Sequence, residues 1–269
     1  MNKKSVSTIS LQQKSGSWQS KIDTVVVEKP LQIVVNEQEF SITMQTPGDE
    51  LVLVRGLLHS EGILRSGFLA FDLEETAAAS IARVEIDCAD PITGNRAIAS
   101  SSSCGLCGKV TIEKLFDGLV PLAKPVQIET DCIAKVYREV EGPNSLFAET
   151  GGCHAASAAT VEGEVLCQFE DIGRHNAVDK VVGWLLENDQ LHRAALLTVS
   201  GRVSFEIIQK CIRARIPILA AISAPSSMAV DFSREYGITL AAFCREDRVT
   251  LYSHESRVTD SVKRTIIHA

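Results

Sequence analysis

Short β-branched runs at residues 22–27, 31–35 and 40–44, separated by turn-like residues, predict antiparallel strands near the start of the chain. The period then changes. Leu51, Val54, Leu57 and Leu58 recur at helical spacing, with Thr46 as a cap, Pro47 at the first helical position and Gly62 as the stop. Residues 83–88 and 96–100 read as further strands around a Gly94-Asn95 turn, and residues 128–141 as a helical or irregular segment. Gly142-Pro143-Asn144 is a breaker cluster and marks the expected domain boundary. Residues 1–20 are Ser- and Gln-rich without apolar periodicity and are expected to form a flexible tail.

Beyond the breaker, strand and helix patterns alternate. Strands are predicted at 157–161, 165–169, 195–199, 216–222, 238–243 and 248–252, with helices at 174–187, 204–213 and 226–236. Residues 216–222 are apolar throughout, as in a sheet covered on both faces. The expected architecture is therefore mixed α/β. A small N-terminal α+β domain occupies residues 21–147 and a three-layer α/β domain residues 148–269.

Composition agrees with this class. Hydrophobic residues make up 45% of the 269-residue chain and aromatics only 5%, so the core must be built from Val, Ile, Leu and Ala. A formal net charge of -7 without any block of Lys and Arg gives no general attraction for nucleic acid. No apolar run approaches the roughly 18 residues of a membrane span, and no apolar stretch follows Lys3 and Lys4 as in a signal peptide. A soluble, cytosolic protein is expected.

Ser101 to Gly108 read S-S-S-C-G-L-C-G, the only C-x-x-C in the chain. Two thiols three apart can share a turn in which backbone N–H groups and the neighbouring sulfur raise the thiolate fraction. A zinc site would need two more ligands at matching spacing, and no second C-x-x-C supplies them, so no metal is expected. Cys88, Cys132, Cys153, Cys167, Cys211 and Cys244 are scattered singly and read as reduced, mostly structural thiols.

In a covered sheet, ligands bind beyond the carboxyl ends of the strands, where this chain places its polar, glycine-rich segments. Ser200-Gly201-Arg202-Val203-Ser204 is one strand-to-helix turn, with Arg202 as a phosphate contact. A second is Glu170 to Lys180, where Arg174 calls for a negative partner and His175 stands four residues from Asp179, as a hydrogen-bonded pair would. Residues 243–248 offer an aromatic ring and two arginines, and Ser223 to Ser227 a serine-rich helix start. Together these junctions point to a polyphosphate or nucleotide-containing ligand. His154 stands in T-G-G-C-H-A-A; Ala156 occupies the place where a zinc-dependent deaminase would need its proton-shuttling Glu.

The motifs at 102–108, 150–156, 170–180, 200–206 and 223–230, in this order, resemble those of the formate dehydrogenase accessory sulfurtransferases, the FdhD family. The resemblance extends to P-G-D-E-L from Pro47 and to Glu61-Gly62-Ile63. It implies a protein that accepts sulfur from a cysteine desulfurase as a persulfide. The sulfur passes to the molybdenum cofactor, as bis(molybdopterin guanine dinucleotide), which a formate dehydrogenase requires. It also implies a C-terminal domain of cytidine-deaminase-like topology, a cytoplasmic location and a homodimer.

Carried over by position, Cys104 bears the persulfide and Cys107 assists. Phe243, Cys244, Arg245, Glu246, Asp247 and Arg248 contact the guanine nucleotide end of the cofactor, a role that guanine nucleotide alone would partly mimic. Arg174, His175 and Arg202 complete the expected cofactor site. A non-catalytic cofactor chaperone and a dithiol oxidoreductase are the alternative readings.

Overall fold

The computed structural model describes residues 3–64, 67–87, 118–123, 125–140, 142 and 145–260. It opens on a hairpin. Strands β1 (Ser5–Lys14) and β2 (Ser17–Val26) pair antiparallel along their whole length, turning through Ser15 (φ 51°) and Gly16 (φ 83°). Two successive positive φ angles belong to the type I′ turn that matches strand twist. The expected tail is thus a ribbon. Its Ser- and Gln-diluted alternation hides the pattern because the ribbon covers no core of its own.

Strands β3 (Lys29–Val35), β4 (Gln38–Gln45), β5 (Ala70–Glu75) and β6 (Ser80–Glu85) form a sheet in the order β4-β3-β6-β5. Helix α1 (Glu50–Ser60) lays Leu53, Val54 and Leu58 on it, against Leu31, Ile33, Phe40 and Val84. Its cap position is Asp49, and the Thr46 expected there is drawn into the other lobe. Strand β5 escaped the sequence reading, and the strand expected at 96–100 lies outside the described residues.

Strand β7 (Ile128–Glu129) and helices α2 (Thr130–Val140) and α3 (Leu146–Thr150) lead into the larger unit. There β8 (His154–Ala159), β9 (Val165–Asp171), β10 (Leu196–Val199), β11 (Ile218–Ala221), β12 (Thr239–Arg245) and β13 (Arg248–Ser253) form one sheet in the order β13-β12-β11-β10-β8-β9. Strands β10, β11 and β12 run parallel. Helices α4 (Arg174–Glu187), α5 (Phe205–Arg213) and α6 (Ser227–Tyr236) cover one face, with α2 on the other.

The period of two sorts each strand between these layers. Leu197, Leu219 and Leu240 face the three-helix side, while Leu196, Ile218 and Ala241 face α2. The three-layer α/β architecture is the one expected. However, α2, which falls in the segment 21–147, packs on the larger sheet, and β14 (Val258–Thr259) pairs with β7.

The two lobes meet backbone to backbone. A Cβ on Gly183 of α4 would lie 1.8 Å from the carbonyl oxygen of Val52, and one on Gly56 of α1 would lie 1.8 Å from that of Asp179. Main chain cannot yield there as a side-chain tip could. Gly183→Ala should therefore cost at least about 3 kcal/mol by prying α1 from α4. Thermal unfolding should show a fall of roughly 10 °C; an unchanged melting temperature would mean that the helices part freely.

Candidate functional site

The parallel strands β10, β11 and β12 bring their carboxyl ends to one edge of the sheet. Because β8 is antiparallel to both β10 and β9, His154 at its start and Asp171 at the end of β9 reach the same edge. Four expected junctions therefore converge. At this edge opens a cavity of about 790 Å³, whose lining includes His154, Ser200, Ile222 and Arg245. Its other wall comes from α2 and α3 through Tyr137, Val140 and Phe147. The α3 part of that wall was not legible, since α3 is a single short turn, capped by Ser145 and held from afar. Glu170 accepts hydrogen bonds from the backbone N–H groups of Leu146 (2.7 Å) and Phe147 (2.9 Å).

Gly201 permits the close approach of His154 and Arg174. A Cβ there would stand 3.3 Å from His154 Nδ1 and 3.5 Å from the Arg174 Cβ and Cδ. Burial first, and then the charge of Arg174, His175 and Arg202, push the His154 imidazole below its ordinary value despite Asp171. A neutral ring can donate or accept at the cavity wall. Arg202 and Arg245 are exposed at this edge. Arg245 is steadied by donating to the carbonyl oxygens of Ile222 (2.9 Å) and Cys244 (2.7 Å).

The dense segment from Glu170 to Lys180 divides in two. Asp171 and Lys180 are fully buried and 2.8 Å apart; Asp171 also accepts from the backbone N–H of Thr46 and Gly173 and from Asn176, while Lys180 donates to the Thr46 carbonyl. Asn176 donates to the Met44 carbonyl. These side chains clamp the segment 43–49 of the small lobe, the end of β4 and the loop after it, to α4, so their polarity serves the fold. Arg174 and His175 remain at the ligand edge.

The expected pairing of His175 with Asp179 is not the one observed. His175 Nε2 lies 3.4 Å from both Ser204 Oγ and Glu206 Oε2, whereas Asp179 takes Lys210 at 2.6 Å and the Ser60 hydroxyl at 2.8 Å. Chain direction decides this, because α5 and α1 offer closer partners to that face of α4. The His175 hydrogen bond, with help from Ser204, holds the Glu206 carboxyl down at about 2 against an ordinary 4.5.

A depressed folded value means that ionised Glu206 stabilises the fold above pH 4.5. That contribution drains away as pH falls through about 2. Glu206→Gln should accordingly flatten the acid limb of a melting-temperature profile across this window. An unaltered limb would show that the pair contributes nothing.

The segment from Phe243 to Arg248 also divides. Phe243 adopts φ 52°, a left-handed conformation uncommon for a bulky residue, at a break in the β12–β13 register between Ala242 and Arg245. Its ring is half-buried against the three-helix core, and Cys244 is 1% exposed within the core on the α2 side. The Cys244 thiol therefore lies in the core rather than at the ligand edge. Arg245 reaches the cavity; Glu246 and Asp247 form the exposed turn, and Arg248 donates to the Phe243 carbonyl at 3.4 Å.

The thiols separate in the same way. Burial pushes Cys167 up to about 12, Cys244 to about 11 and Cys211 further still. Cys153 lines the cavity, yet burial and the Glu170 carboxylate, 3.5 Å from its sulfur, push it to about 12. It stays protonated at neutral pH. Timed iodoacetamide labelling of the folded protein, read by peptide mass, should find Cys153 resistant until the protein unfolds; prompt native labelling would contradict this. Cys104, Cys107 and Cys88 lie outside the described residues. Among the described residues no cluster of His, Cys, Asp and Glu could hold a metal, and no helix is long and apolar enough to cross a membrane.

The model of the FdhD/NarQ family matches residues 26–259. The chain belongs to this family. The FdhD likeness runs through proteins named sulfur carrier protein FdhD. That of Mycolicibacterium paratuberculosis is 40% identical over 256 residues, covering 88% of this chain and 92% of the relative. The Sulfolobus acidocaldarius protein of the same name is 36% identical over 247 residues, covering 91% and 95%. A crystal structure from Desulfotalea psychrophila, described as a formate dehydrogenase accessory protein, superposes with a TM-score of 0.76. At 24% identity, covering 95% of this chain and 99% of that one, it shares the FdhD fold.

Proposed function

We propose that this chain is a sulfur carrier of the FdhD type. It takes sulfur from a cysteine desulfurase onto Cys104, with Cys107 assisting, and passes it to the molybdenum cofactor in its bis(molybdopterin guanine dinucleotide) form for a formate dehydrogenase. The observation that carries this reading is the likeness, over most of the chain, to relatives named sulfur carriers. Four of the five described cysteines are buried with their thiols driven upward, which supports the paired, serine- and glycine-flanked C-x-x-C as the source of nucleophilic sulfur.

Transfer then needs no net oxidation. The Cys104 thiolate attacks the terminal sulfur of the donor persulfide, the donor S–S bond breaks, and the donor cysteine leaves as its thiolate. Cys104 now carries the persulfide. In the second step the cofactor is the substrate, and the cationic sheet edge of Arg174, Arg202 and Arg245 with neutral His154 suits its phosphates. Arg245 beside the cavity is the member of the 243–248 segment best placed for the nucleotide end. This is sulfurtransferase chemistry in the cytoplasm.

Peptide mass spectrometry after incubation with a cysteine desulfurase and cysteine tests the reading. One added sulfur on the peptide bearing Cys104 and Cys107 is expected. A Cys104–Cys107 disulfide that cycles instead would favour an oxidoreductase, and cofactor binding without sulfur loading a chaperone; either result would overturn the proposal.

A further inference from the structure

Among the described residues, two aromatic side chains line the cavity, and they differ in what they offer it. Tyr137 is 7% exposed and belongs to the core between the sheet and α2. Phe147 is 56% exposed and belongs to none of the three hydrophobic cores. Phe243, expected at the nucleotide, packs its ring on the three-helix core and does not line the cavity. The open ring of this site is therefore that of Phe147.

Its helix is built to hold it there. Five residues are too few for a helix to be stable by its own hydrogen bonds, and α3 is instead pinned by side chains at both ends. Both oxygens of the Glu170 carboxylate are engaged: Oε2 accepts from the Leu146 N–H at 2.7 Å and Oε1 from the Phe147 N–H at 2.9 Å. Ser145 Oγ accepts from the Ala148 N–H at 3.0 Å, and the Thr150 hydroxyl donates back to the Leu146 carbonyl at 2.8 Å. Gly151, at φ 66°, closes the turn by donating to the Phe147 carbonyl at 2.7 Å. Phe147 is thus gripped by its N–H and its carbonyl while its ring stays in solvent. An apolar ring left in water adds nothing to folding, but a fixed one lowers the cost of ordering a ligand against it.

We propose that Phe147 is the face on which a nucleobase stacks, and that Glu170 is the residue that positions it. The inference rests on the reading that this cavity takes the nucleotide end of a cofactor, and it adds the source of affinity for the base. The strand-end wall supplies the other end of such a ligand, with His154, Ser200 and the exposed Arg245 for phosphate oxygens. A flat ring on the α3 wall and phosphates at the strand ends would let one nucleoside diphosphate span the cavity of about 790 Å³. A phenyl face reads no hydrogen-bonding edge, so Phe147 supplies affinity for a flat ring and leaves the choice of base to the polar wall.

Titration calorimetry of the full chain with guanosine diphosphate and with inorganic pyrophosphate tests this. Phe147→Ala should weaken the nucleotide roughly tenfold or more, while pyrophosphate binds as it does to wild type. Phe147→Trp should keep the wild-type nucleotide affinity, and the indole it introduces should be quenched as the nucleotide saturates. Glu170→Gln leaves one carbonyl oxygen where two carboxylate oxygens served. Added to Phe147→Trp, it should free the indole, seen as lower emission anisotropy at unchanged circular dichroism, and weaken the nucleotide.

Equal nucleotide affinity in wild type and Phe147→Ala, or equal weakening of nucleotide and pyrophosphate, overturns the inference and leaves the cofactor reading standing. Unchanged anisotropy in the Glu170 variant overturns the positioning role. A wild type that binds no guanosine diphosphate overturns both the inference and the nucleotide reading, while sulfur loading of Cys104 reports on the carrier role separately.

Discussion

Lys180→Met is expected to cost about 4 kcal/mol of folding stability, because it leaves the Asp171 carboxylate buried without its counter-charge. The ammonium sits fully buried, 2.8 Å from Asp171, 2.8 Å from the Thr46 carbonyl oxygen and 3.6 Å from Asp49. Water cannot reach in to replace it. Asp171 would keep three N–H donors, from Thr46, Gly173 and Asn176, but these are neutral groups facing a full charge. Adding Asp171→Asn to Lys180→Met removes that charge while preserving an acceptor, so the double variant should recover roughly half of the loss. Urea unfolding of the two single variants and the double measures both terms. Strict additivity would show that the residues do not act as a pair. The clamp also joins the small lobe to the cavity edge, so the single variant should loosen Arg174 and His175 along with the fold.

Cys104→Ala should reduce sulfur loading to the background of the uncatalysed mixture, while binding of the guanine dinucleotide cofactor survives. The family resemblance assigns the persulfide to Cys104, and most of the described thiols compete poorly for it. A persulfide forms on a thiolate that can be approached, and Cys153, Cys167, Cys211 and Cys244 are buried and held protonated. Cys132, on α2, packs against the core facing that helix. Cys153→Ser, beside the cavity, should load sulfur as wild type does. Labelled sulfur traced from cysteine to the protein distinguishes the variants. Undiminished loading in Cys104→Ala would refute its role, and loss in Cys153→Ser would bring the cavity thiol into the relay.

Some of this molecule is written in local pattern. The alternation of strand and helix after residue 148 was legible because periods of 2 and 3.6 are properties of neighbouring residues. The glycine- and serine-rich junctions were legible as the turns between strand and helix patterns. Their shared edge needed only the rule that ligands bind at strand ends. The ribbon of β1 and β2 was not legible, since its alternation is diluted by serine and glutamine and it covers no core of its own. Nor was the division of labour within Glu170 to Lys180. Local sequence marks that segment as polar but cannot say which of its side chains meet the small lobe.

The sequence by itself determined the layer architecture, the placement of polar junctions at one edge and the presence of one paired thiol motif. Tertiary structure alone decided that Asp171 and Lys180 bind the loop after β4 at Thr46, that His175 turns to Glu206, that Cys244 faces the core and that Cys153 lines a cavity in protonated form. The physical reason is range. Periodicity and turn chemistry act between residues a few positions apart, whereas burial and charge pairing depend on what folds in from far along the chain, as Thr46 does onto Asp171 and Lys180.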